Sequence, residues 1–136
     1  MTAHRTLLLS IVLGLSLGFG SIFAAEKLER RTSSAGGVAV AVKPVELAPG
    51  AKSWDFEVTM DTHTRPIEQD LARVSALVDE GGARHAPTAW KGDPPGGHHR
   101  KGVRQFAPLA GSPAYVELQI RGVGTPDVRT FRWQIR

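Results

Sequence analysis

The sequence predicts an all-β protein, a single immunoglobulin-like antiparallel β-sandwich of about seven short strands that follows an N-terminal apolar helix. Apolar and polar residues alternate with a period of two in three segments, which is typical of strands with one buried face. Turn signals rich in Gly and Pro separate these segments. The chain has 136 residues, so about 110 remain after an export segment, enough for one core.

The N-terminal segment indicates export. Residues 7–25 (LLLSIVLGLSLGFGSIFAA) carry no charge and follow Arg5. Cleavage after Ala25 or Ala24 would place Phe23 or Ile22 where a small residue is preferred. Residues 1–25 are therefore interpreted as a signal peptide or a retained signal anchor. We expect an extracytoplasmic protein, periplasmic or secreted, with tethering by residues 7–25 as the open alternative.

Residues 26–37 are polar and end in TSSAGG, a composition that predicts a flexible linker. The β-sandwich domain is then expected over residues 38–136. Its first strand covers residues 38–47, where Pro44 marks an edge or a bulge.

Three further strands are predicted from alternation alone. In the first, Trp54, Phe56, Val58 and Met60 share one face. The other two cover residues 116–121 and 131–136.

The middle of the chain allows two interpretations over residues 67–78, because its apolar residues also fall at helical spacing. We expect one short helical turn around residues 68–73 and then a strand over 74–78. Gly81 and Gly82 predict a hairpin to a strand over 83–90. A loop over 91–102 and a short strand over 103–106 follow.

Composition narrows the function classes. The chain has no Cys, which excludes disulfides and thiolate zinc sites. From Arg84 onward, basic residues outnumber acidic ones, and such a field favours anionic partners, although scattered solvated arginines are the simpler interpretation. As partners we expect an envelope protein or an anionic membrane surface, and no nucleic acid.

The loop over 91–102 contains the residues that suggest metal binding. Imidazole and carboxylate groups suit Cu(II) or Zn(II), so His98 and His99 are candidate ligands together with His63 and Asp61. Asp61 and His63 lie two apart and share a side if their strand continues. The alternative is that all four are polar residues that bond to backbone or solvent.

The same loop suggests an anion site as a second interpretation. Gly96 and Gly97 can present backbone N–H groups beside Arg100 and Lys101. The pattern lacks the Gly-Lys-Ser/Thr of a phosphate-binding P-loop. No catalytic motif, such as G-x-S-x-G or H-E-x-x-H, is present, so we expect no enzyme.

Three segments carry a resemblance: W-x-F-x-V-x-x-D-T-H from Trp54 to His63, L-V-D-E-G-G from Leu77 to Gly82, and W-K-G-D-P-P-G-G-H-H-R-K-G-V from Trp90 to Val103. They resemble a family of small uncharacterised extracytoplasmic bacterial β-domains that share a D-T-H and a G-G-H-H-R segment. The resemblance covers about Trp54 to Trp133. It implies an exported β-domain and assigns no role to the histidines.

Two functions remain open from the sequence. The first is an exported, non-enzymatic module that binds a transition-metal ion through His63, His98 and His99. The second is a structural or protein-interaction domain of the cell envelope, in which the His-rich loop is held by hydrogen bonds alone.

Overall fold

The structure is a computed structural model that describes residues 28–135. The predicted export segment, residues 7–25, and the last residue of the predicted final strand, Arg136, lie outside this range. The elements are β1 (Arg31–Ala35), β2 (Val38–Glu46), β3 (Trp54–Thr62), α1 (Leu71–Val74), β4 (Ser75–Val78), β5 (Arg84–His85), β6 (Ala89–Gly92), β7 (His99–Phe106), β8 (Tyr115–Arg121) and β9 (Val128–Gln134).

The strands form two antiparallel sheets. The five-stranded sheet has the order β1-β2-β3-β7-β6, and the four-stranded sheet has the order β5-β4-β8-β9. The prediction of an all-β fold is confirmed.

One apolar core joins the two sheets. Inward residues alternate with outward ones along β2, β3, β8 and β9, as the period of two predicts. The rings of Phe56 and Trp133, from opposite sheets, lie 5.6 Å apart. Burying each such large side chain contributes about 2–3 kcal/mol, so these contacts hold the sheets together.

The predicted linker over 26–37 is wrong for its second half. Residues 31–35 form β1, which pairs with β2 through the turn at Gly36 and Gly37. Both glycines have positive φ, at 57° and 76°, a conformation that glycine adopts without strain. As an edge strand β1 needs backbone pairing and no apolar face, so its polar composition concealed it. The packed unit therefore begins before Val38.

The predicted strand over 83–90 is two strands in different sheets. The hairpin from β4 to β5 is present, and the Asp79 carboxylate accepts bonds from the Gly81 and Ala83 N–H groups in its turn. The chain then leaves this sheet around Pro87, which has no N–H for a ladder bond. It enters the other sheet as β6.

The middle loop is shorter than predicted. Because β6 ends at Gly92 and β7 begins at His99, only residues 93–98 lie between strands. The predicted helical turn occurs slightly later, as α1, where the Asp70 side chain caps the first turn. Pro44 lies beside a bulge, where the register with β3 shifts, and also beyond the end of the β1 pairing, which stops at Val42.

Candidate functional site

The candidate site is residues 93–99, which are the connection between β6 and β7 and the first residue of β7, and we call it the histidine loop. Its backbone is bonded to the segment that follows β3. The Thr62 N–H donates to the His98 carbonyl at 2.9 Å, and the Ile67 N–H donates to the Gly97 carbonyl at 2.9 Å. The Gly96 N–H donates to the Ile67 carbonyl at 2.8 Å. The tip of the loop is therefore fixed on both sides.

The base of the histidine loop is closed by Asp93. Its N–H donates to the Lys101 carbonyl at 3.0 Å, and its carboxylate accepts from the Lys101 N–H at 2.9 Å. The Trp90 indole N–H donates to the Asp93 carbonyl at 2.8 Å. These bonds extend the β6–β7 pairing into the loop.

Arg100 joins the loop to the segment before α1 from inside the protein. Its side chain is 1% exposed. One terminal nitrogen donates to the carbonyls of Ile67 and Gln69, at 3.0 and 2.8 Å, and the other donates to the Asp93 carbonyl at 3.4 Å. Burial lowers the pKa of Arg100, while the nearby carboxylates partly oppose that shift. The guanidinium acts as a buried cross-link between two irregular segments.

Asp61 and His99 are brought together by the pairing of β3 with β7, in which they are direct partners. His99 Nδ1 is hydrogen-bonded to Asp61 Oδ1. Both side chains are about half exposed, at 57% for His99 and 49% for Asp61. This contact joins the first residue of β7 to the end of β3 on the outer surface.

The other two predicted metal ligands do not complete a site. His63 is exposed and borders the same shallow hollow as Asp61, as their spacing predicted. His98 is exposed and contributes its carbonyl to the Thr62 N–H. Within residues 28–135, no group of three or more His, Asp or Glu side chains is placed to hold one metal ion.

The four residues of the predicted anion site point in different directions. The Gly96 N–H is already bonded to Ile67, and Arg100 is buried with its guanidinium on carbonyls. Lys101 is exposed on the opposite face of β7, because neighbouring residues of a strand alternate. Gly97 adds its carbonyl to the bond with Ile67. Arg100 is thus directed inward, away from Lys101.

A second buried arginine, Arg104, lies four residues after Arg100 on the inner face of β7. Its guanidinium lies 5.3 Å from the centre of the Trp90 ring, and it donates to the Ala89 carbonyl. Within the described chain, its Nε and Nη2 are buried without a hydrogen-bond partner. Burial lowers the pKa of Arg104 to about 10. A charged group is held here mainly by an aromatic ring.

A third buried arginine, Arg129 on β9, binds the opposite edge of the five-stranded sheet. Its guanidinium donates to the carbonyls of Ser33, Ala35, Val38 and Val123 at 2.6 to 3.1 Å. Burial lowers its pKa. This cluster, which we call the β1–β9 clasp, joins the first strand of the described chain to the last.

Sequence reasoning missed all three buried arginines, because arginine is usually exposed. A signal was nevertheless present. Arg100 and Arg104 have the same parity as Phe106 in β7, and Arg129 has the same parity as Phe131 and Trp133 in β9. Once a strand is recognised, an arginine at an even spacing from its buried apolar residues can therefore be predicted to point inward.

Comparison with known proteins found no matching family model, no matching curated protein and no matching solved structure. Membership in the family with D-T-H and G-G-H-H-R segments remains a prediction. Within residues 28–135, no helix has the length and apolar character to cross a membrane.

Proposed function

We propose that this protein is an exported, non-enzymatic domain of the cell envelope with a structural or protein-interaction role, and that its histidine loop is a hydrogen-bonded element that needs no metal. The bonding of the loop carries this proposal. Backbone bonds from Thr62, Ile67 and Gly96, together with the buried Arg100, hold it without any ligand. A loop fixed in this way presents a constant surface.

The Asp61–His99 contact supports the same conclusion. Structural zinc sites use four protein ligands, and catalytic ones use three. Asp61 and His99 supply two donors, which already bond to each other. A metal ion would have to displace that bond and recruit further ligands from exposed, separate side chains.

The proposed domain type is an immunoglobulin-like β-sandwich. In that fold, strands A, B, E and D form one sheet, and G, F and C form the other, with C′ added in some members. If β2 is taken as strand A, then β2-β3-β7-β6 reads A-B-E-D and β5-β4-β8-β9 reads C′-C-F-G. The strand order supports this assignment, with β1 as an additional N-terminal strand. Export is proposed from residues 5–25 of the sequence.

Calorimetric titration tests the metal-free proposal. The full-length chain in a non-ionic detergent is titrated with Cu(II), Zn(II) and Ni(II), alongside a double variant, His98→Ala with His99→Ala. We expect no binding tighter than about 10 μM and the same weak heats in both proteins. His85→Ala is the matched control, because His85 bonds to Asp79 in the other sheet.

Amide hydrogen exchange provides the positive readout. Without metal, we expect the N–H groups of Thr62, Ile67 and Gly96 to exchange slowly, because each is hydrogen-bonded. Added Zn(II) should not slow them further. Submicromolar binding that is lost in the double variant, or exchange that slows only with metal, would restore the metal-binding hypothesis.

A further inference from the structure

The last strand, β9, has one paired edge and one open edge. The Ile135 N–H donates to the Ala114 carbonyl on the β8 side. Since backbone groups alternate in direction along a strand, the odd-numbered residues of β9 face β8. The N–H and C=O groups of Thr130, Arg132 and Gln134 therefore face the open edge.

Within residues 28–135, none of these open-edge backbone groups takes part in a hydrogen bond. They border a groove between β9 and β1. Its lining residues are Arg31, Thr32, Thr130, Phe131, Arg132 and Gln134. An unpaired strand edge is a template for one more strand.

The opposite wall of the groove is β1 and the residues before it, and side chains of β9 donate to some of their carbonyls. Arg129 occupies the carbonyls of Ser33 and Ala35 on β1, and the Trp133 indole occupies the carbonyl of Glu29. The clasp thus holds the two edges in position without using the β9 backbone. The open-edge backbone groups of β9 therefore stay available for pairing.

The charge of the groove indicates what would pair there. Two of its six lining residues, Arg31 and Arg132, are basic, and none is acidic. The Arg132 guanidinium is positioned by Glu117 and lies 4.2 Å from the Tyr115 ring centre, yet its side chain stays 52% exposed. Arg31 pairs with the inward Val42, so it lies on the inner side of the groove while Arg132 lies on the outer side. A strand added here therefore meets the guanidinium of Arg31 on one face and, on the other, that of Arg132, which is also ion-paired with Glu117.

We propose that an extended acidic segment of another protein adds to β9 as a fifth strand of the four-stranded sheet. Backbone bonds to Thr130, Arg132 and Gln134 would supply affinity, and acidic side chains beside Arg31 and Arg132 would supply selectivity. This inference deepens the proposed interaction role and rests on it. It does not depend on whether the histidine loop binds metal.

A second copy of the chain fits this edge less well. Antiparallel pairing of two β9 strands in the register centred on residue 132 would place the two Arg132 side chains opposite each other. Like charges that face each other across strands are destabilising, and charged edges are a common defence against self-pairing. The same arginine that opposes a second copy favours an acidic strand.

The test uses a synthetic probe and a proline substitution. The probe is the capped peptide Thr-Glu-Val-Glu-Thr-Glu-Val, which is added to the full-length chain in non-ionic detergent. In Thr130→Pro the open-edge N–H is removed, while the β8 ladder loses no bond because residue 130 faces away from it. We expect binding in the unchanged chain and in Thr130→Ala, and a loss of more than about tenfold in Thr130→Pro.

Charge variants test the selectivity. We expect Arg132→Gln and Arg31→Gln each to weaken binding of the acidic probe by about fivefold. Lys43→Gln removes one exposed charge outside the groove, so it should have no effect. A probe with Lys in place of Glu should bind at least about tenfold more weakly.

Several outcomes would overturn the inference. Equal binding by Thr130→Pro, equal binding of the Lys probe, or no amide shift at residues 130, 132 and 134 at millimolar probe would each do so. Sedimentation that shows a dimer lost in Thr130→Pro would assign the edge to a second copy instead. If Thr130→Pro does not fold, the unchanged protein is tested with a probe whose strand-pairing backbone nitrogens are methylated. Undiminished binding of that probe would refute the pairing. Tight metal binding in the calorimetric titration would refute the metal-free loop but would leave the proposed strand addition at β9 untouched.

Discussion

At the scale of single residues, buried arginines join chain segments that no strand pairing connects to each other. Arg100 and Arg129 donate mainly to backbone carbonyls, and no carboxylate among the described residues pairs with either by a salt bridge. The guanidinium suits this role because its five N–H donors spread over a planar fork. A lysine would reach fewer acceptors. Each arginine therefore links chain segments through hydrogen bonds to their carbonyls.

Replacement of Arg129 should be strongly destabilising. Arg129→Ala leaves the carbonyls of Ser33, Ala35 and Val38 without their donor, so we expect a loss of about 3 kcal/mol or more. Arg129→Lys should recover part of this. The measurement is urea unfolding, and the exposed Arg121→Ala should change stability by less than about 0.5 kcal/mol. Equal effects at both sites would contradict the role of the clasp.

Arg104 should behave in the opposite way. Two of its nitrogens are buried without partners, so Arg104→Met, which keeps an extended side chain against Trp90, should stabilise the protein by about 1 kcal/mol. The advantage should depend on pH. Since burial lowers the pKa of Arg104 in the folded protein to about 10, below its value in the unfolded chain, the cost of the charged form is fully present below pH 10 and falls as the pH rises above it.

Urea unfolding at about pH 8 and about pH 11 measures this difference. The stability gap between Arg104→Met and the unchanged protein should narrow at the higher pH. The exposed Arg121→Met should show no such change. If the stability gap widens with pH, or if Arg104→Met is less stable than the unchanged protein at pH 8, burial of the charged Arg104 is not destabilising.

At the scale of elements, β6 and β7 approach closely because glycine faces glycine. Gly92 and Gly102 are direct partners, and a Cβ on Gly102 would lie 2.6 Å from the Gly92 Cα and 2.8 Å from the Trp90 ring. The indole lies across the space that two side chains would fill. This packing fixes Trp90, whose N–H in turn bonds the Asp93 carbonyl of the histidine loop.

Gly102→Ala should therefore separate β6 from β7. We expect a loss of about 2 kcal/mol or more, since backbone atoms must move to admit the methyl group. Gly50→Ala is the matched control, because nothing lies within 4 Å of its added Cβ, and it should be neutral or slightly stabilising. Thermal unfolding of both variants checks this, and similar melting temperatures would refute the close approach.

The elements that were predicted correctly are those with apolar alternation. The strand from Trp54 to Met60, for example, is predicted from the period of two alone. In contrast, β1 (RTSSA) has no apolar face, and the first half of β7 reads His-Arg-Lys-Gly, because its inward positions hold Arg100 and Gly102. Both were assigned to loops. The contact between Asp61 and His99 could not be predicted from the local sequence of either strand, because it depends on the register between β3 and β7.

At the scale of the whole molecule, the two sheets share one core and are also joined along one side. Phe56 and Trp133 make the apolar contact between sheets, while the clasp closes the side between β1 and β9. On that side the β9 backbone remains open. The molecule thus combines a closed interior with one edge that can accept a further strand.

The clasp also makes the stability of β1 depend on β9. Ser33 and Arg129 are 96 positions apart, and a chain is synthesised from its N-terminus, so β1 exists long before its partner. A product that ends before Val128 lacks the guanidinium and leaves the core without Phe131 and Trp133. Such a fragment remains open to proteases, whereas a chain that contains β9 joins β1 to it. Arg129 therefore couples the stability of β1 to the presence of β9.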